Sequence, residues 1–243
     1  MGGRTCAAAL AALIAVTALG PMDVAQARPT SPAAPRGAAS KAAQVAKDQL
    51  RSLGCFIGDA SAEGVRFETA LIRFQAANGM TQSGDLTKAT QRRLQKDNAV
   101  PCNDRPVPSH TGKGRRVVMS QGQNWLWIVN KNDKVVAQGG VVDNDWLPQD
   151  VYYTGAQCGK PARSRYRTDR SGALEIDWFV RFHDCIVGFH AIPVSKRTGR
   201  EIHPDYYVGT DLSKSHGCIR MMTPLIKALY DFAAVRTKVV VTR

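Results

Sequence analysis

Acidic residues are scarce in this 243-residue sequence: 20 Asp and Glu stand against 33 Lys and Arg, and the formal net charge at pH 7 is +13. This balance suits an anionic partner such as a nucleic acid, a membrane surface or an anionic cell-wall polymer, and it also fits a basic surface that only keeps the protein soluble. The length is sufficient for one large domain or two modest ones with a substantial core.

Long apolar runs are also nearly absent. The extended one, Ala7–Leu19, is too short to favour a membrane-spanning helix. Arg4 precedes it and the Ala-x-Ala site at 25–27 follows it, a pattern typical of a secretory signal. We therefore expect a signal peptide at 1–27, a mature chain without a transmembrane span that begins near Arg28, and export across the cytoplasmic membrane. Export argues against a nucleic acid as partner; an uncleaved N-terminal anchor is the alternative.

Spacings that hold a metal are missing as well. The sequence contains no Cys-x-x-Cys and no His-x-x-x-His, although it has histidines and cysteines in its C-terminal half. A zinc site is therefore disfavoured, and we predict neither a metal nor another cofactor.

The first half of the mature chain divides by composition. Residues 28–40 are rich in Pro, Ala and Ser and predict a flexible tether. Residues 41–102 carry apolar side chains at helical spacing in three successive stretches, which predicts a small all-α unit of three helices. Residues 103–114 contain two Pro and two Gly and predict a second linker.

From residue 115 onward the pattern changes to strands. Apolar runs predict strands at 117–119, 125–129, 186–189 and 239–241, a strict alternation predicts a half-buried strand at 174–182, and 125–136 reads as a hairpin. Thr223 is expected to cap a helix that begins with Pro224. The expected fold is therefore the small all-α domain followed by a mostly β domain with a few helices at 115–243.

The clearest chemical motif is Ser215-His216-Gly217-Cys218-Ile219-Arg220. Glycine allows a sharp turn, so we expect the Cys218 thiol at the tip of a turn whose backbone N–H groups can bind an oxyanion. A cysteine nucleophile also needs a base, and His216 is too close in sequence to reach the thiol well. We favour His190, because it follows a predicted strand and a strand end fixes a side chain better than a loop does; His203 is the alternative base.

This motif, preceded by a histidine after a short strand, resembles that of the YkuD-type L,D-transpeptidases of bacterial cell walls, over about residues 115–243. The resemblance implies that the Cys218 thiolate attacks the carbonyl between meso-diaminopimelate and D-alanine of a stem tetrapeptide. D-alanine leaves, and the amine of a second stem resolves the cysteinyl thioester to form a 3→3 cross-link. His190 would carry the proton, while Ser215, His216 and Gly217 would shape the turn.

Two further groups are candidates for substrate binding. Arg220 could hold a substrate carboxylate through its planar guanidinium, or it could form a structural ion pair. The segment 191–214 is longer than the commonest family spacer and predicts a loop beside the cleft, in which Tyr206 and Tyr207 would face the stem peptide. A solvated surface insertion is the alternative for this segment.

The helical region has a resemblance of its own. Leu-x-x-Leu-Gly at 50–54, Phe74-Gln75, Gly79-Met80 and Ser83-Gly84-Asp85 together look like a three-helix peptidoglycan-binding domain. A helical spacer is the alternative.

Five cysteines follow residue 27, and an odd number leaves at least one unpaired within a monomer. The motif selects Cys218 as the free thiol. Cys55–Cys102 and Cys158–Cys185 form the simplest pairing, because each would lie within one predicted domain, and exported proteins retain disulfides.

Three function classes follow from these observations. The first is a secreted L,D-transpeptidase of the cell wall or periplasmic space, with roles in peptidoglycan biosynthesis, cell-wall biogenesis and cell shape. The second is an L,D-carboxypeptidase-type hydrolase with the same nucleophile, in which water resolves the thioester. The third is a non-catalytic wall-binding protein.

Overall fold

The computed structural model describes residues 36–58, 64–144 and 146–243. The predicted signal peptide and the first part of the predicted tether lie outside the described residues. Three helices come first in the chain: α1 (Arg36–Ser52), α2 (Val65–Ala77) and α3 (Lys88–Leu94). α1 begins before residue 41 because its first turns are rich in alanine, which has the highest helix propensity.

The three helices pack around one small apolar core. Its buried members are Ala46, Leu50, Cys55, Ala70, Leu71, Phe74, Leu94 and Cys102. The disulfide Cys55–Cys102, which was predicted, joins the end of α1 to the segment after α3. Gln75 fixes the turn before α3, because its amide accepts from the N–H of Gly84 at 3.0 Å and donates to the carbonyl of Asp85 at 3.1 Å. The Phe74-Gln75 pair therefore has a structural role.

The rest of the chain is mostly β. In chain order the strands are β1 (Arg116–Ser120), β2 (Trp125–Val129), β3 (Val135–Val142), β4 (Val151–Tyr153), β5 (Arg163–Ser164), β6 (Leu174–Glu175), β7 (Phe179–His183), β8 (Val187–Ala191), β9 (Val194–Ser195), β10 (Ile219–Met221) and β11 (Lys238–Thr242). Within the described ranges, nine of them form one sheet in the order β4-β11-β1-β2-β3-β10-β8-β7-β5, and β6 pairs with β9. The β1–β11 and β8–β10 pairs are parallel, and the others are antiparallel.

Apolar side chains cover both faces of the central strands. On one face the helix α4 (Thr223–Phe232) packs its buried Leu225, Ile226 and Leu229 against the main core. On the other face Trp125, Trp127 and Val240 form a second cluster, against which Val107 packs. The mostly β domain with a few helices is thus confirmed. No helix in the described part of the chain is both long and apolar enough to cross a membrane.

Two local predictions were wrong. Thr223 is the first residue of α4 and not its cap; Met222 holds the cap position, without a side-chain hydrogen bond. The alternating stretch 174–182 is not one strand, because Trp178 has a φ of 59°, a conformation that an extended strand does not use. This residue separates β6 from β7.

The segment 191–214 is not a continuous loop either. It contains β9 and a short 3₁₀ helix at Asp205–Tyr207. Short polar stretches of this kind carry too little apolar periodicity for these elements to be recognised in a sequence.

Candidate active site

Cys218 lies immediately before β10, in the middle of the sheet. β10 runs parallel to β8, with Ile219 opposite Phe189 and Arg220 opposite His190. Ile219 and Phe189 are buried in the main core. Because side chains alternate between the two faces of a strand, Cys218, Arg220 and His190 share the opposite face.

The Cys218 thiol is half-buried and donates a hydrogen bond to the carbonyl of Ile186 at 3.1 Å. Burial raises its pKa, and this effect is opposed by a backbone hydrogen bond from Gly188 and by the positive charges of Arg167 and Arg181. The resting thiol is therefore protonated at neutral pH and needs a base to react.

His190 has the properties of that base. Its Nδ1 lies 2.5 Å from the carbonyl oxygen of Ala191, and since a carbonyl can only accept, Nδ1 carries the proton. Nε2 is left as the acceptor. Burial lowers the pKa of His190 to about 4; the Ala191 hydrogen bond opposes this shift, and Arg220, Arg167 and His203 reinforce it. At neutral pH the ring is thus neutral and able to take up a proton.

Gly188 allows an aromatic ring to pack beside this pair. A Cβ at Gly188 would lie 2.6 Å from both the Phe179 ring and the carbonyl oxygen of Val180. The Phe179 ring is nearly parallel to the His190 ring, at an angle of 12° and a centroid distance of 6.4 Å. A side chain at position 188 would therefore displace the ring that flanks His190.

A cleft of about 560 Å³ opens over Cys218. It is lined by Asp169, Leu174, Ile176, Ile186, His190, Pro193, Ile202, His203, Ser215, His216, Gly217, Cys218 and Arg220. His203, the alternative base, is thus at the cleft too. Its pKa is lowered by burial and by Arg220 and His216, and it is only partly buried.

The turn before Cys218 is held from the end of β3. The Ser215 N–H donates to the carbonyl of Asp143 at 2.8 Å, and the side-chain amide of Asn144 donates to the carbonyl of Gly217 at 2.5 Å. Within the turn, the Gly217 N–H donates to the Ser215 hydroxyl at 3.3 Å. Asn144 was missed in the sequence, because only its distance in space to Gly217 reveals its role.

The predicted substrate-binding residues lie in different places. Arg220 lines the cleft, is 4% exposed and donates to the Ser213 hydroxyl at 2.5 Å. Tyr206 is not among the cleft residues; its ring lies 5.0 Å from the guanidinium of Arg66 on α2. The Tyr207 ring packs edge-on against that of Tyr206 at 4.7 Å.

Two arginines near Cys218 were also missed. The guanidinium carbons of Arg167 and Arg181 lie 4.3 and 4.9 Å from the Phe179 ring. Arg181 is 2% exposed and donates to the carbonyl of Cys185. The alternating pattern of 174–182 marked Arg181 as a polar, outward residue, and nothing in the sequence distinguished Arg167.

The second predicted disulfide, Cys158–Cys185, is present next to Ile186, whose carbonyl accepts a hydrogen bond from the Cys218 thiol. Cys218 is the free cysteine among the described residues. Across residues 36–58, 64–144 and 146–243, no group of three or more His, Cys, Asp or Glu side chains could hold a metal ion.

Comparison with known proteins adds to this geometry. The family model YkuD, described as the L,D-transpeptidase catalytic domain, matches residues 114–241. An L,D-transpeptidase structure (residues 123–326) from Xylanimonas cellulosilytica is 19% identical, with a TM-score of 0.49 over 83% of this chain and 92% of that chain. The L,D-transpeptidase (Yku) from Stackebrandtia nassauensis is 17% identical, with a TM-score of 0.43 over 83% and 90%. No curated protein matches the sequence.

Proposed function

Because the chain belongs to the YkuD family of L,D-transpeptidase catalytic domains, whose model matches more than half of it, we propose that it cross-links peptidoglycan stem peptides through a thioester on Cys218. One observation carries the proposal. A free thiol and a neutral histidine with an open Nε2 lie on the same face of two paired strands, beside a cleft. This arrangement suits covalent acyl transfer.

In the first half-reaction, His190 Nε2 takes the proton from Cys218, and the thiolate bonds to the carbonyl carbon between meso-diaminopimelate and D-alanine. The carbonyl electron pair moves onto the oxygen. When this intermediate collapses, the C–N bond breaks and the leaving nitrogen takes the proton from His190. Free D-alanine and a cysteinyl thioester result.

In the second half-reaction, the side-chain amine of a second diaminopimelate attacks the thioester carbonyl. His190 takes a proton from the attacking nitrogen and returns it to the departing sulfur of Cys218. The new amide is the 3→3 cross-link, and the thiol is regenerated. Each half-reaction begins and ends with a neutral imidazole, which matches the low pKa of His190.

Positive charge around Cys218 stabilises the thiolate that forms during the proposed reaction. Arg167 and Arg181 both lower the pKa of Cys218, so they favour the anion that forms as the proton leaves. Arg220 uses one N–H on Ser213 and retains further donors, with which it would hold a carboxylate of the stem peptide.

We further propose that the helical region binds the wall and that the enzyme works outside the cytoplasmic membrane, in the cell wall or periplasmic space. The net charge of +13 and the two disulfides support this location.

Intact-protein mass spectrometry with a soluble stem-tetrapeptide donor tests the reaction. The wild type should gain the acyl group and lose it when an acceptor amine is added, with formation of the cross-linked product. Cys218→Ala should form no adduct. His190→Gln should acylate about 10²-fold to 10⁴-fold more slowly, whereas His203→Gln should change the rate only slightly.

Each contrary outcome has a meaning. An adduct on Cys218→Ala would refute the nucleophile, and equal losses in the two histidine variants would refute His190 as the base. An adduct that disappears equally fast without the amine would identify a hydrolase instead of a transpeptidase.

A further inference from the structure

One part of segment 191–214 runs between the helical region and the sheet. We call residues 205–209 the bridging segment. Asp205 pairs with Arg66 of α2 at 3.0 Å. Val208 is buried in a cluster with Val142 of β3 and Ile192.

Arg73 of α2 forms hydrogen bonds with both the helical region and the bridging segment. Its guanidinium donates to the carbonyls of Val208 at 2.8 Å, of Tyr206, and of Cys55 at 2.9 Å. Two of these acceptors belong to the bridging segment and the third belongs to the helical region. The side chain is 1% exposed, and its hydrogen bonds to Val208 and Cys55 are buried.

The environment of Arg73 demands an arginine. Its hydrogen-bond acceptors are all main-chain carbonyls that diverge around one planar group, and only a guanidinium carries enough donors in a fixed fork to reach them. Burial lowers its pKa to about 9, so the group is still a cation at neutral pH. The desolvation of that cation is offset by the three carbonyls.

α2 is itself held in place beneath this contact. Arg105, which is 2% exposed, donates to the carbonyl of Arg73 at 3.0 Å and stacks on Trp125 of β2 at 3.8 Å. The Trp127 indole donates in turn to the carbonyl of Arg105 at 2.9 Å. The position of Arg73 relative to the sheet is therefore fixed from both sides.

The bridging segment continues directly into the catalytic turn. The Gly209 N–H donates to the carbonyl of Val141 at 2.9 Å, and six residues later the Ser215 N–H donates to the carbonyl of Asp143, so both anchors lie at the end of β3. Ser213, between these two anchors, accepts from Arg220. The bridging segment is thus linked through residues 210–214 to the turn that presents Cys218.

We propose that Arg73 is a positioning residue for the Cys218 reaction, by which the helical region sets the geometry of the catalytic turn. This inference rests on the proposed function. Because reaction rates fall steeply when a nucleophile is misplaced, loss of Arg73 should slow acylation even in folded protein.

The experiment compares Arg73→Met with Arg93→Met in the full chain. Arg93 on α3 is a matched control, because its guanidinium also makes three hydrogen bonds, at 2.6–2.7 Å, but to Asn78 and Asn98 within the helical region. Thermal melts confirm folding. At saturating tetrapeptide donor, we expect at least a tenfold lower acylation rate for Arg73→Met, a change below twofold for Arg93→Met, and partial recovery in Arg73→Lys.

A second readout needs no peptide. The pH midpoint of Cys218 alkylation by iodoacetamide should fall in Arg73→Met, because a looser turn relieves the burial that raises the thiol pKa, and it should not move in Arg93→Met. If the wild type is alkylated but never acylated, the proposed function fails, and the midpoint alone then decides the role of Arg73. The inference would be overturned if folded Arg73→Met kept the wild-type acylation rate and the wild-type pH midpoint of alkylation. Equal changes in Arg73→Met and Arg93→Met would overturn it as well.

If Arg73→Met does not fold, two glycine variants test the positioning role of Arg73 instead. Gly209 and Gly199 both have positive φ, 81° and 64°, but a Cβ at Gly209 would lie 3.3–3.4 Å from the Arg73 side chain and one at Gly199 would meet nothing within 4 Å. Gly209→Ala should slow acylation at least fivefold relative to Gly199→Ala. Equal rates in these two variants would also overturn the inference.

Discussion

At the residue scale, burial shifts the pKa values of Cys218 and His190 in opposite directions and leaves both groups uncharged. It raises the pKa of the Cys218 thiol and lowers that of the His190 imidazole. The pair therefore rests as thiol and neutral imidazole, and charge separates only when a carbonyl carbon is available to the sulfur. A resting thiol is also a poor target for oxidants, which suits an exported protein.

The acid limit of the reaction follows from His190. Only the neutral ring accepts a proton, and with a pKa of about 4 roughly 90% of it is still neutral at pH 5. We expect the acylation rate to stay nearly constant from pH 7 to pH 5 and to fall towards pH 4. A pH profile of donor acylation checks this, and an acid limb centred near pH 6.5 would contradict it.

The same shift makes stability depend on pH. Since the folded pKa of His190 is below the unfolded value, the unfolded chain binds more protons between about pH 6.5 and pH 4. The contribution of His190 to the free energy of unfolding is complete above about pH 6.5 and is lost as the pH falls to about 4. Urea unfolding of the wild type at pH 7 and pH 5, compared with His190→Gln, should show a smaller loss in the variant.

At the scale of the element, β8 carries His190, the proposed base, and Gly188 makes room for the Phe179 ring beside it. Gly188→Ala should therefore lower the stability by about 1–3 kcal/mol and slow acylation, because the new methyl group overlaps Phe179 and Val180. Gly155→Ala is the control, since a Cβ there meets nothing within 4 Å. Thermal melts and acylation rates of the two variants check this, and similar behaviour would contradict it.

The strands show what a pattern can and cannot predict. The runs that became β1, β2 and β11 are apolar and short, and they were recognised because burial on both faces leaves a continuous apolar signature. The break at Trp178 was missed because the alternation of side chains continues across it; a positive φ at a single aromatic residue leaves no trace in the periodicity.

At the scale of the whole molecule, the helical region presents a groove away from the catalytic cleft. The groove has a volume of about 320 Å³ between α1 and α3, and Val45 in its lining is 46% exposed. If this groove binds the wall, Val45→Lys should reduce sedimentation with purified peptidoglycan several-fold and leave acylation by soluble donor unchanged.

Gln44→Lys is the matched control, because it adds the same charge one residue away, outside the groove lining. Added positive charge alone favours an anionic polymer. A loss of sedimentation in Val45→Lys but not in Gln44→Lys would therefore report on the groove, and equal sedimentation of both with wild type would refute wall binding there.

The proposed catalytic residues were easier to select from the sequence than the contact between the two parts of the chain. Cys218 and His190 were predicted because a nucleophile and a base demand particular residue types, and the structure places them on two paired strands. Arg73 and Arg105 were not found, because arginine in a helix or between prolines is expected at the surface, and their burial depends on carbonyls that come from distant positions. The same contact explains why Tyr206 lies against α2.

The position of β11 in the sheet affects the order in which parts of the chain can fold. Residues 238–242 lie between β1 and β4, in parallel register with residues 116–120. Until this late segment arrives, β1 has an unpaired edge, which is a hazard for association with other chains. The local contacts of the helical region can form early, but Arg73 must wait for the carbonyls of residues 206 and 208. A chain that emerges from its N-terminus can therefore complete the central sheet and the Arg73 contacts only after its last strand has formed.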